Sequence, residues 1–242
     1  MSKPFYSIVI PTYNEEVLLP QMIESVFNQT YRDFEVIVAD NHSTDKTRKI
    51  LSKYNARVVE GNDRPGIARN KGASIANGEF LVFLDADTTI GKDFLKDLLI
   101  EINKRNFVAA SGFFVGDQGT TFDLITHSFL NNYFWLLQKI NPHAYGCFFA
   151  IRNDIFRKLD GFDPDIIMAE DHELAYRISK LGKFSFLRKP TITVSVRRIG
   201  REGRLSAIGK GIYVEAYRIF NKKITKKLFE YEMGGGIEET PK

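Results

Sequence analysis

The chain has very few of the residues that staple small or secreted folds together. It contains one cysteine, Cys147, among 242 residues, which excludes an internal disulfide and a cysteine-based zinc cluster. Such a chain suits a reducing compartment, so we expect the cytoplasm, with the inner face of the cell membrane as the alternative. No apolar run reaches the roughly 18 residues of a membrane-spanning helix. Pro11 interrupts the first apolar stretch, which favours a strand over a signal peptide.

Two common nucleotide-binding motifs are also missing. No G-x-G-x-x-G follows the first apolar stretch and no Walker A sequence occurs, which disfavours a Rossmann dinucleotide fold and a P-loop. The composition, 43% hydrophobic and 26% charged, excludes a disordered or collagen-like chain. Function must therefore come from other polar residues between the apolar segments.

Acidic residues are scarce in the C-terminal quarter. Residues 183–227 hold 13 Lys/Arg and 2 Asp/Glu, whereas residues 1–182 hold 20 basic and 24 acidic residues. The net charge of +4 thus conceals one strongly basic segment. A segment of this kind is typical of proteins that bind a phosphorylated ligand or another polyanion.

Short apolar runs alternate with stretches of helical spacing through the first hundred residues. The run Phe80–Leu84 is apolar at every position, as expected for a strand buried on both faces of a parallel sheet. We therefore predict an α/β fold with a doubly wound, mainly parallel sheet. Asn14 is the predicted N-cap of the first helix. The predicted strands are Phe5–Ile10, Phe34–Ala39, Arg57–Glu60 and Phe80–Leu84, and helices are predicted over Leu19–Phe27, after Ser43 and over Gly66–Ala76.

The second half is less regular, and we expect a smaller acceptor-side subregion followed by a helical extension. The predicted organisation is one domain over residues 1–200, divided at residue 105, then a basic helical extension over 201–233 and a disordered tail over 234–242. Strands are predicted over Phe107–Val115, Tyr145–Ile151, Phe184–Leu187 and Thr191–Val196, and helices over Thr121–Ile140, Asn153–Leu159, Glu170–Leu181 and Leu205–Phe220.

Three polar loops follow three of the predicted parallel strands. They are residues 11–15 after the first, 40–45 after the second and 85–87 after the fourth. Each loop alone is compatible with ordinary capping, because Asn, Asp and Ser are favoured between strands and helices. Since ligands bind beyond the carboxyl ends of such strands, three polar loops at one edge favour a binding site.

The triplet Asp85-Ala86-Asp87 is the sharpest of these signals. Two carboxylates at the end of an apolar strand are unfavourable without a cation or hydrogen bonds. Oxygen ligands that leave positions open suit Mg²⁺ or Mn²⁺, which substrate phosphates would also hold. Arg69, in a short helix, is expected near the same edge, where it would contact a diphosphate; a surface helix is the alternative.

A second acidic group stands at the start of a predicted helix. Glu170 and Asp171 lie in the sequence AEDHE, where the helix dipole alone would favour acidic residues. The functional alternative is a general base aimed into a cleft.

At this point the chain resembles a known family. The segments SIVIPTYNEE, VIVADNHSTDKT, GIARNKGASIANGEFLVFLDADT, GCFFAIRNDIFRKLDGFD and AEDHELAYRISKLG occur in the order and spacing of family 2 glycosyltransferases with the GT-A fold. The resemblance covers about residues 5–190. It implies an inverting transfer of a sugar from a nucleotide-diphosphate sugar, most often a UDP-sugar, to an acceptor hydroxyl or phosphate.

The resemblance also assigns roles to positions of this chain. It implies that Asp171, beside Glu170, is the catalytic base, that Asp87 ligates the divalent cation, and that Asp85 approaches the ribose or the metal. Gly146 would border the sugar and the acceptor. The donor nucleotide would be bound by Pro11, Tyr13, Glu15, Asp40 and Arg69.

Three features depart from the family pattern. One carboxylate, Asp40, stands where two are common, and no histidine follows His172 to complete a metal site. The Q-x-x-R-W motif of processive synthases is absent, so a single transfer is expected.

Arg197 and Arg198 follow the catalytic region in a Gly-containing basic loop that is expected to close over the donor; a solvated surface is the alternative.

Partners follow from the same features. The expected acceptors are a glycan, a small molecule or a polyprenyl phosphate, and nucleic acid is not an expected partner. The aromatic segment Thr121–Ile140 is interpreted as a core or subunit-contact helix, which leaves an oligomer open; a peripheral membrane contact with the nearby lysines is the alternative. Competing functions are a sugar-phosphate nucleotidyltransferase and a non-catalytic module that binds nucleotide sugars or polyanions.

Overall fold

A computed structural model describes residues 3–118, 120–197, 203–221 and 223–229, without the side chains of residues 219 and 220. These residues form one eight-stranded sheet in the order β3-β2-β1-β4-β7-β6-β8-β5. The strands are β1 (Tyr6–Thr12), β2 (Phe34–Asp40), β3 (Arg57–Glu60), β4 (Phe80–Leu84), β5 (Thr88–Ile90), β6 (Ala109–Gly116), β7 (Phe148–Arg152) and β8 (Phe184–Val194).

Helices cover both faces of the sheet. They are α1 (Leu19–Phe27), α2 (Thr47–Leu51), α3 (Pro65–Ser74), α4 (Phe94–Arg105), α5 (Thr121–Leu137), α6 (Asn153–Lys158), α7 (Glu170–Ser179) and α8 (Arg204–Phe220). Two clusters of buried apolar residues result, one on each side of the sheet, and both include Phe residues from the central strands. Both faces of β4 are buried, as its wholly apolar sequence predicts.

The first half of the sheet is parallel. β1 pairs with β2 and with β4, and β2 pairs with β3, all in parallel register. The carboxyl ends of β2, β1 and β4 therefore lie side by side, and the three polar loops meet at one edge. This arrangement confirms the predicted α/β fold and the placement of these loops.

The second half mixes directions. β7 lies antiparallel between β4 and β6, β8 pairs with β6 in parallel, and the short β5 pairs antiparallel with β8. The prediction of two strands over Phe184–Leu187 and Thr191–Val196 was wrong in one respect, since a single strand, β8, spans this region with an irregularity opposite Gly112–Phe114. The elements β5 and α4 were not predicted.

Two predictions about helices need correction. Asn14 does not cap α1, whose N-cap is Leu18; Asn14 has φ of 49° and its Oδ1 instead accepts a hydrogen bond from Thr44 N. For the aromatic helix α5 only the core half of the interpretation is wrong, because its buried residues are Asp123, His127, Asn131 and Phe134; a subunit contact stays a prediction. Five large apolar residues of α5 are exposed: Phe122, Leu124, Ile125, Phe129 and Leu136.

Candidate active site

The first two polar loops are joined to each other by hydrogen bonds. Ser43 Oγ accepts from Asn14 N at 2.9 Å, and Thr47 Oγ1 accepts from Glu15 N at 2.9 Å. Asp45 Oδ2 accepts from Glu16 N at 3.0 Å. The small polar residues of one loop thus satisfy the backbone of the other, which holds the ends of β1 and β2 in one rigid wall.

Arg69 is the centre of the site. It projects from α3, is 3% exposed, and donates from Nη2 to Asp85 Oδ1 at 2.7 Å and from Nη1 to Glu170 Oε1 at 2.7 Å. Nη2 also donates to the carbonyl of Gly146 at 3.3 Å. One guanidinium therefore ties the end of β4 to the start of α7 and to the loop before β7. The surface-helix alternative for Arg69 was wrong.

Gly146 shows how close the two acidic groups lie. A Cβ added at this position would stand 3.1 Å from Arg69 Nη2, 3.6 Å from Asp171 Oδ2 and 3.7 Å from Asp85 Oδ2. The carboxylates of Asp85 and Asp171, distant in sequence, thus border the same small space. A side chain at position 146 would fill that space, which explains why glycine suits it.

Burial shifts the proton affinity of the α7 carboxylates. Desolvation raises the pKa of Asp171 and of Glu170, and the neighbouring Arg69 guanidinium opposes the rise in both. Asp171 also accepts a hydrogen bond at Oδ1 from the backbone N–H of His172 at 2.8 Å, which fixes the orientation of its carboxylate. A carboxylate with a raised pKa accepts a proton more readily than an exposed one, as a general base must.

Glu15 and Arg197 close the other side of the site. Arg197 Nη2 lies 3.1 Å from Glu15 Oε1 and 3.3 Å from Oε2, so the segment after β8 reaches the loop after β1. Burial raises the pKa of Glu15 to about 7; Arg197 opposes the rise and the nearby Asp87 adds to it. The backbone carbonyl of Asp87 accepts from Ser195 N at 3.1 Å. Arg198 lies outside the described residues.

Asp40 is placed differently from the other predicted residues. Its side chain is fully buried, Oδ1 accepts from Ser43 Oγ, and Oδ2 accepts from Ser43 N and Arg48 Nε. A cavity of about 500 Å³ lies beside it, lined by His42, Arg48, Ser52, Val58, Val59 and Glu60. Of the other predicted nucleotide residues, Pro11 pairs with Ala39 within the sheet and Tyr13 is 36% exposed at the edge.

A polar network behind Asp171 was missed by sequence reasoning. The His172 ring contacts the rings of Phe134 and His143, with centroids 6.3 and 5.1 Å away. His143 Nε2 lies 2.8 Å from Glu215 Oε1, and Arg218 Nε donates to Glu215 Oε2 at 3.2 Å. Helix α8 is thereby attached behind the start of α7. No local motif predicts this network, because its members lie on α7, on α8 and in the loop before β7.

The acidic residues after β4 offer a metal ion two carboxylates. Among the residues that the structure describes, no three or more His, Cys, Asp or Glu side chains are arranged as a complete metal cage. Asp85 keeps Oδ2 outside its ion pair with Arg69 and is one-third exposed, and Asp87 is half-buried nearby in sequence. Two carboxylates fit Mg²⁺ or Mn²⁺ if substrate and water supply the other ligands.

Comparison with known proteins identifies the family. The profile of the family described as "Glycosyl transferase family 2" matches residues 7–160. The chain therefore belongs to the family 2 glycosyltransferases, and it has a GT-A fold. This membership confirms the resemblance inferred from the five sequence segments.

Two similar proteins illustrate the relationship. An uncharacterized glycosyltransferase of Haemophilus influenzae is 35% identical over 147 residues, covering 57% of this chain and 59% of that protein. The poly(ribitol-phosphate) β-N-acetylglucosaminyltransferase TarS of Staphylococcus aureus is 36% identical over 110 residues, covering 42% of this chain and 19% of TarS. The match thus covers less than two-thirds of the length of either relative.

Solved structures show the same fold. TarS residues 1–349 in complex with UDP match with a TM-score of 0.66 and 25% identity, covering 81% of this chain and 61% of that one. The mannosyltransferase PcManGT of Pyrobaculum calidifontis, in complex with GDP-Man and Mn²⁺, matches with a TM-score of 0.66 and 23% identity, covering 81% and 58%. Within the described part of this chain, no helix is both long and apolar enough to cross a membrane.

Proposed function

We propose that the protein is a metal-dependent, inverting glycosyltransferase that moves one sugar from a UDP-sugar to an acceptor hydroxyl or lipid phosphate. The observation that carries this proposal is the grouping of Asp85, Asp171 and Glu170 around Arg69 and Gly146. The arrangement supports a donor on the Asp85 side and an acceptor on the Asp171 side, with the reacting carbon between them.

The donor side is assigned to the three loops at the parallel edge. The nucleotide would lie along Pro11, Tyr13 and Glu15, whose loop is held rigid by its bonds to the loop after β2. The base would lie toward Asp40 and the adjacent cavity. Because Asp40 is already bonded to Ser43 and Arg48, we expect it to shape this pocket, and to contact the base only if those bonds exchange.

The chemical step follows from the position of Asp171. Its carboxylate would take the proton of the acceptor hydroxyl as the acceptor oxygen forms a bond to the anomeric carbon. The bond from that carbon to the diphosphate oxygen breaks at the same time, and the nucleotide diphosphate leaves with the electron pair. Attack opposite the leaving group inverts the anomeric centre. Asp171 suits this role because its pKa is raised by burial.

Positive charge would stabilise the leaving diphosphate. A divalent cation held by Asp85 and Asp87 would neutralise its charge when bound. Arg197 already reaches the donor side through Glu15, and Arg198 follows it in sequence. Arg69 is occupied by Asp85 and Glu170, so its main part would be to orient them rather than to grip phosphate.

The acceptor is assigned only by class. TarS acts on poly(ribitol-phosphate), a phosphate-containing polymer, according to its name. A glycan, a small molecule or a polyprenyl phosphate would each offer an oxygen nucleophile to Asp171, and the basic segment over residues 183–227 favours a phosphorylated acceptor.

The test is a screen of nucleotide sugars with Mn²⁺ or Mg²⁺ in which released nucleotide diphosphate is measured. We expect one donor to bind and turn over only with a divalent cation. Asp87→Ala should lose metal-dependent donor binding, because a carboxylate ligand is removed. Asp154→Ala is the matched control, since Asp154, on α6, is exposed and pairs with Arg152 at the end of β7.

Two results would contradict this proposal. If no nucleotide sugar binds under any metal condition, the donor class is wrong. If Asp87→Ala binds and turns over donor like the Asp154→Ala control, the metal assignment is wrong while the glycosyltransferase activity stands.

A further inference from the structure

Helix α5 is amphipathic in the reverse sense to an ordinary surface helix. Its inward face carries Asp123, His127 and Asn131, and Asn131 bonds to both the N–H and the carbonyl of Phe114 on β6. Its outward face is apolar. Including Ile140 in the turn directly after the helix, this face carries five side chains that are between 44% and 84% exposed: Phe122, Ile125, Phe129, Leu136 and Ile140. Spacings of three, four, seven and four residues keep these side chains on one helical face.

Helix α8 is linked by side-chain bonds to α5 and to the loop after it. Arg204, at the start of α8, bonds to Asp123 at the start of α5 at 2.9 and 3.0 Å. Glu215, near the end of α8, bonds to His143, shortly after the end of α5. Helix α8 is therefore tied to the start of α5 and to the loop just beyond its end.

We name these five exposed residues the apolar platform: Phe122, Ile125, Phe129, Leu136 and Ile140. Exposed apolar side chains that are grouped on one face, rather than scattered singly, are typical of an interaction site. Its surroundings decide the kind of partner.

The segments that carry the platform and the linked helix α8 are rich in basic residues. Residues 120–145 and 203–229 together hold eight Lys/Arg and two Asp/Glu. Both acidic residues are engaged inwards, Asp123 by Arg204 and Glu215 by His143 and Arg218. Lys139, next to Ile140, and Lys226 are exposed. A second copy of the chain would bring the same positive surface against itself, which is unfavourable. An anionic lipid surface matches both the apolar residues and the charge.

We propose that the apolar platform docks the protein onto an anionic lipid bilayer. The platform side chains enter the boundary between headgroups and acyl chains, while the surrounding lysines contact headgroup phosphates. Helix α5 then lies in the plane of the interface with its polar face toward the protein. This inference is independent of the donor and the metal.

The test is vesicle flotation of the full chain at low and high salt. We expect binding to phosphatidylcholine vesicles that contain phosphatidylglycerol, weaker binding at high salt, and little binding to phosphatidylcholine alone. The double variant Phe129→Glu/Ile140→Glu should bind at least about tenfold more weakly, because charges enter the apolar face. Leu136→Glu alone should show a smaller loss in the same direction.

Ile100→Glu on α4 is the matched control, since Ile100 is an apolar residue of similar exposure outside the platform. It should bind like the wild type, and thermal melts of all variants should coincide. The proposal is overturned if the wild type does not float with anionic vesicles, or if the double variant binds as tightly as Ile100→Glu. It is also overturned if light scattering shows a dimer that the double variant abolishes while vesicles bind neither form.

Discussion

Arg69 and Arg197 both cross the carboxyl edge of the sheet, but they hold very different parts of the site. Arg69 is buried and bonds to Asp85 and Glu170 in the interior, while Arg197 bonds to Glu15 near the rim, where its side chain is 18% exposed. A buried pair keeps its geometry because breaking it leaves unpaired charge in a poorly solvated place. A rim pair can exchange its partner for a substrate or solvent at lower cost. The centre of the site is thus preorganised and the rim is adaptable.

The largest expected effect comes from Arg69→Met. The substitution leaves Asp85 and Glu170 without their cation, so the free energy of unfolding should fall by about 3–5 kcal/mol. Urea unfolding measures this, with Arg57→Met, at a half-exposed ion pair on β3, as the control. Adding Glu170→Gln to Arg69→Met should recover part of the loss. A loss no larger than that of the control would mean that the buried Arg69 pairs stabilise the fold no more than a half-exposed ion pair does.

Asp171→Asn separates chemistry from architecture at the same centre. The amide cannot take a proton, so the transfer rate should fall by about 10²–10⁴-fold while donor binding is retained. Single-turnover transfer and donor titration measure the two quantities. Asp165→Asn, in the exposed loop before α7, is the matched control. Unchanged transfer would remove Asp171 as the base.

Glu15 makes the rim sensitive to pH. Its pKa in the folded protein is raised to about 7 from an ordinary 4.5, so the folded state binds more protons than the unfolded state between these values. The stability that this group contributes is present below about pH 4.5 and is lost as the pH rises through 7. In Glu15→Gln this loss is absent. The free energy of unfolding of the variant, relative to that of the wild type, should therefore rise by about 2 kcal/mol as the pH goes from 5 to 8.

Chemical unfolding at several pH values measures this difference. Glu16→Gln, at the next position in the same loop, is the control and should follow the wild type. A constant difference between Glu15→Gln and the wild type across the pH range would contradict the assigned titration.

Arg197→Met should have the smallest effect on stability, within about 1 kcal/mol, because Glu15, whose pKa is already about 7, can take up a proton when its cation is removed. The pKa of Glu15 should rise further without its cation, so the pH-dependent loss of stability should move to higher pH. The same unfolding series checks both points. A destabilisation as large as that of Arg69→Met would erase the contrast between centre and rim.

The parallel half of the fold could be predicted because its signals are local. Phe80–Leu84 is apolar throughout, and the helices α1 and α3 have clear apolar spacing or flanking Pro and Gly residues. Helix α4 was missed although its buried residues Phe94, Leu95, Leu98 and Ile102 have helical spacing. The short β5 has only three residues, and pairing with β8 rather than its own sequence makes it a strand.

The outward face of α5 could not be predicted for a different reason. Its sequence contains apolar residues on several sides, and a pattern of that kind is typical of a buried helix. Two of the polar side chains that turn inwards have partners there, Arg204 for Asp123 and the Phe114 backbone for Asn131, and the His127 ring packs on the Phe114 ring. Those partners are distant in the chain, so hydrophobic periodicity alone indicates the wrong face.

By itself the sequence determined the strand-loop-helix order, the three polar loops at one sheet edge, and the family. It did so because apolar periodicity and loop residues act over a few neighbouring positions. Only the tertiary structure decided that Arg69 joins Asp85 to Glu170, which lies 101 residues further along the chain. Only the structure turned the apolar side of α5 outwards. Both results depend on which polar groups find partners once buried, and that depends on distances between elements that no local pattern encodes.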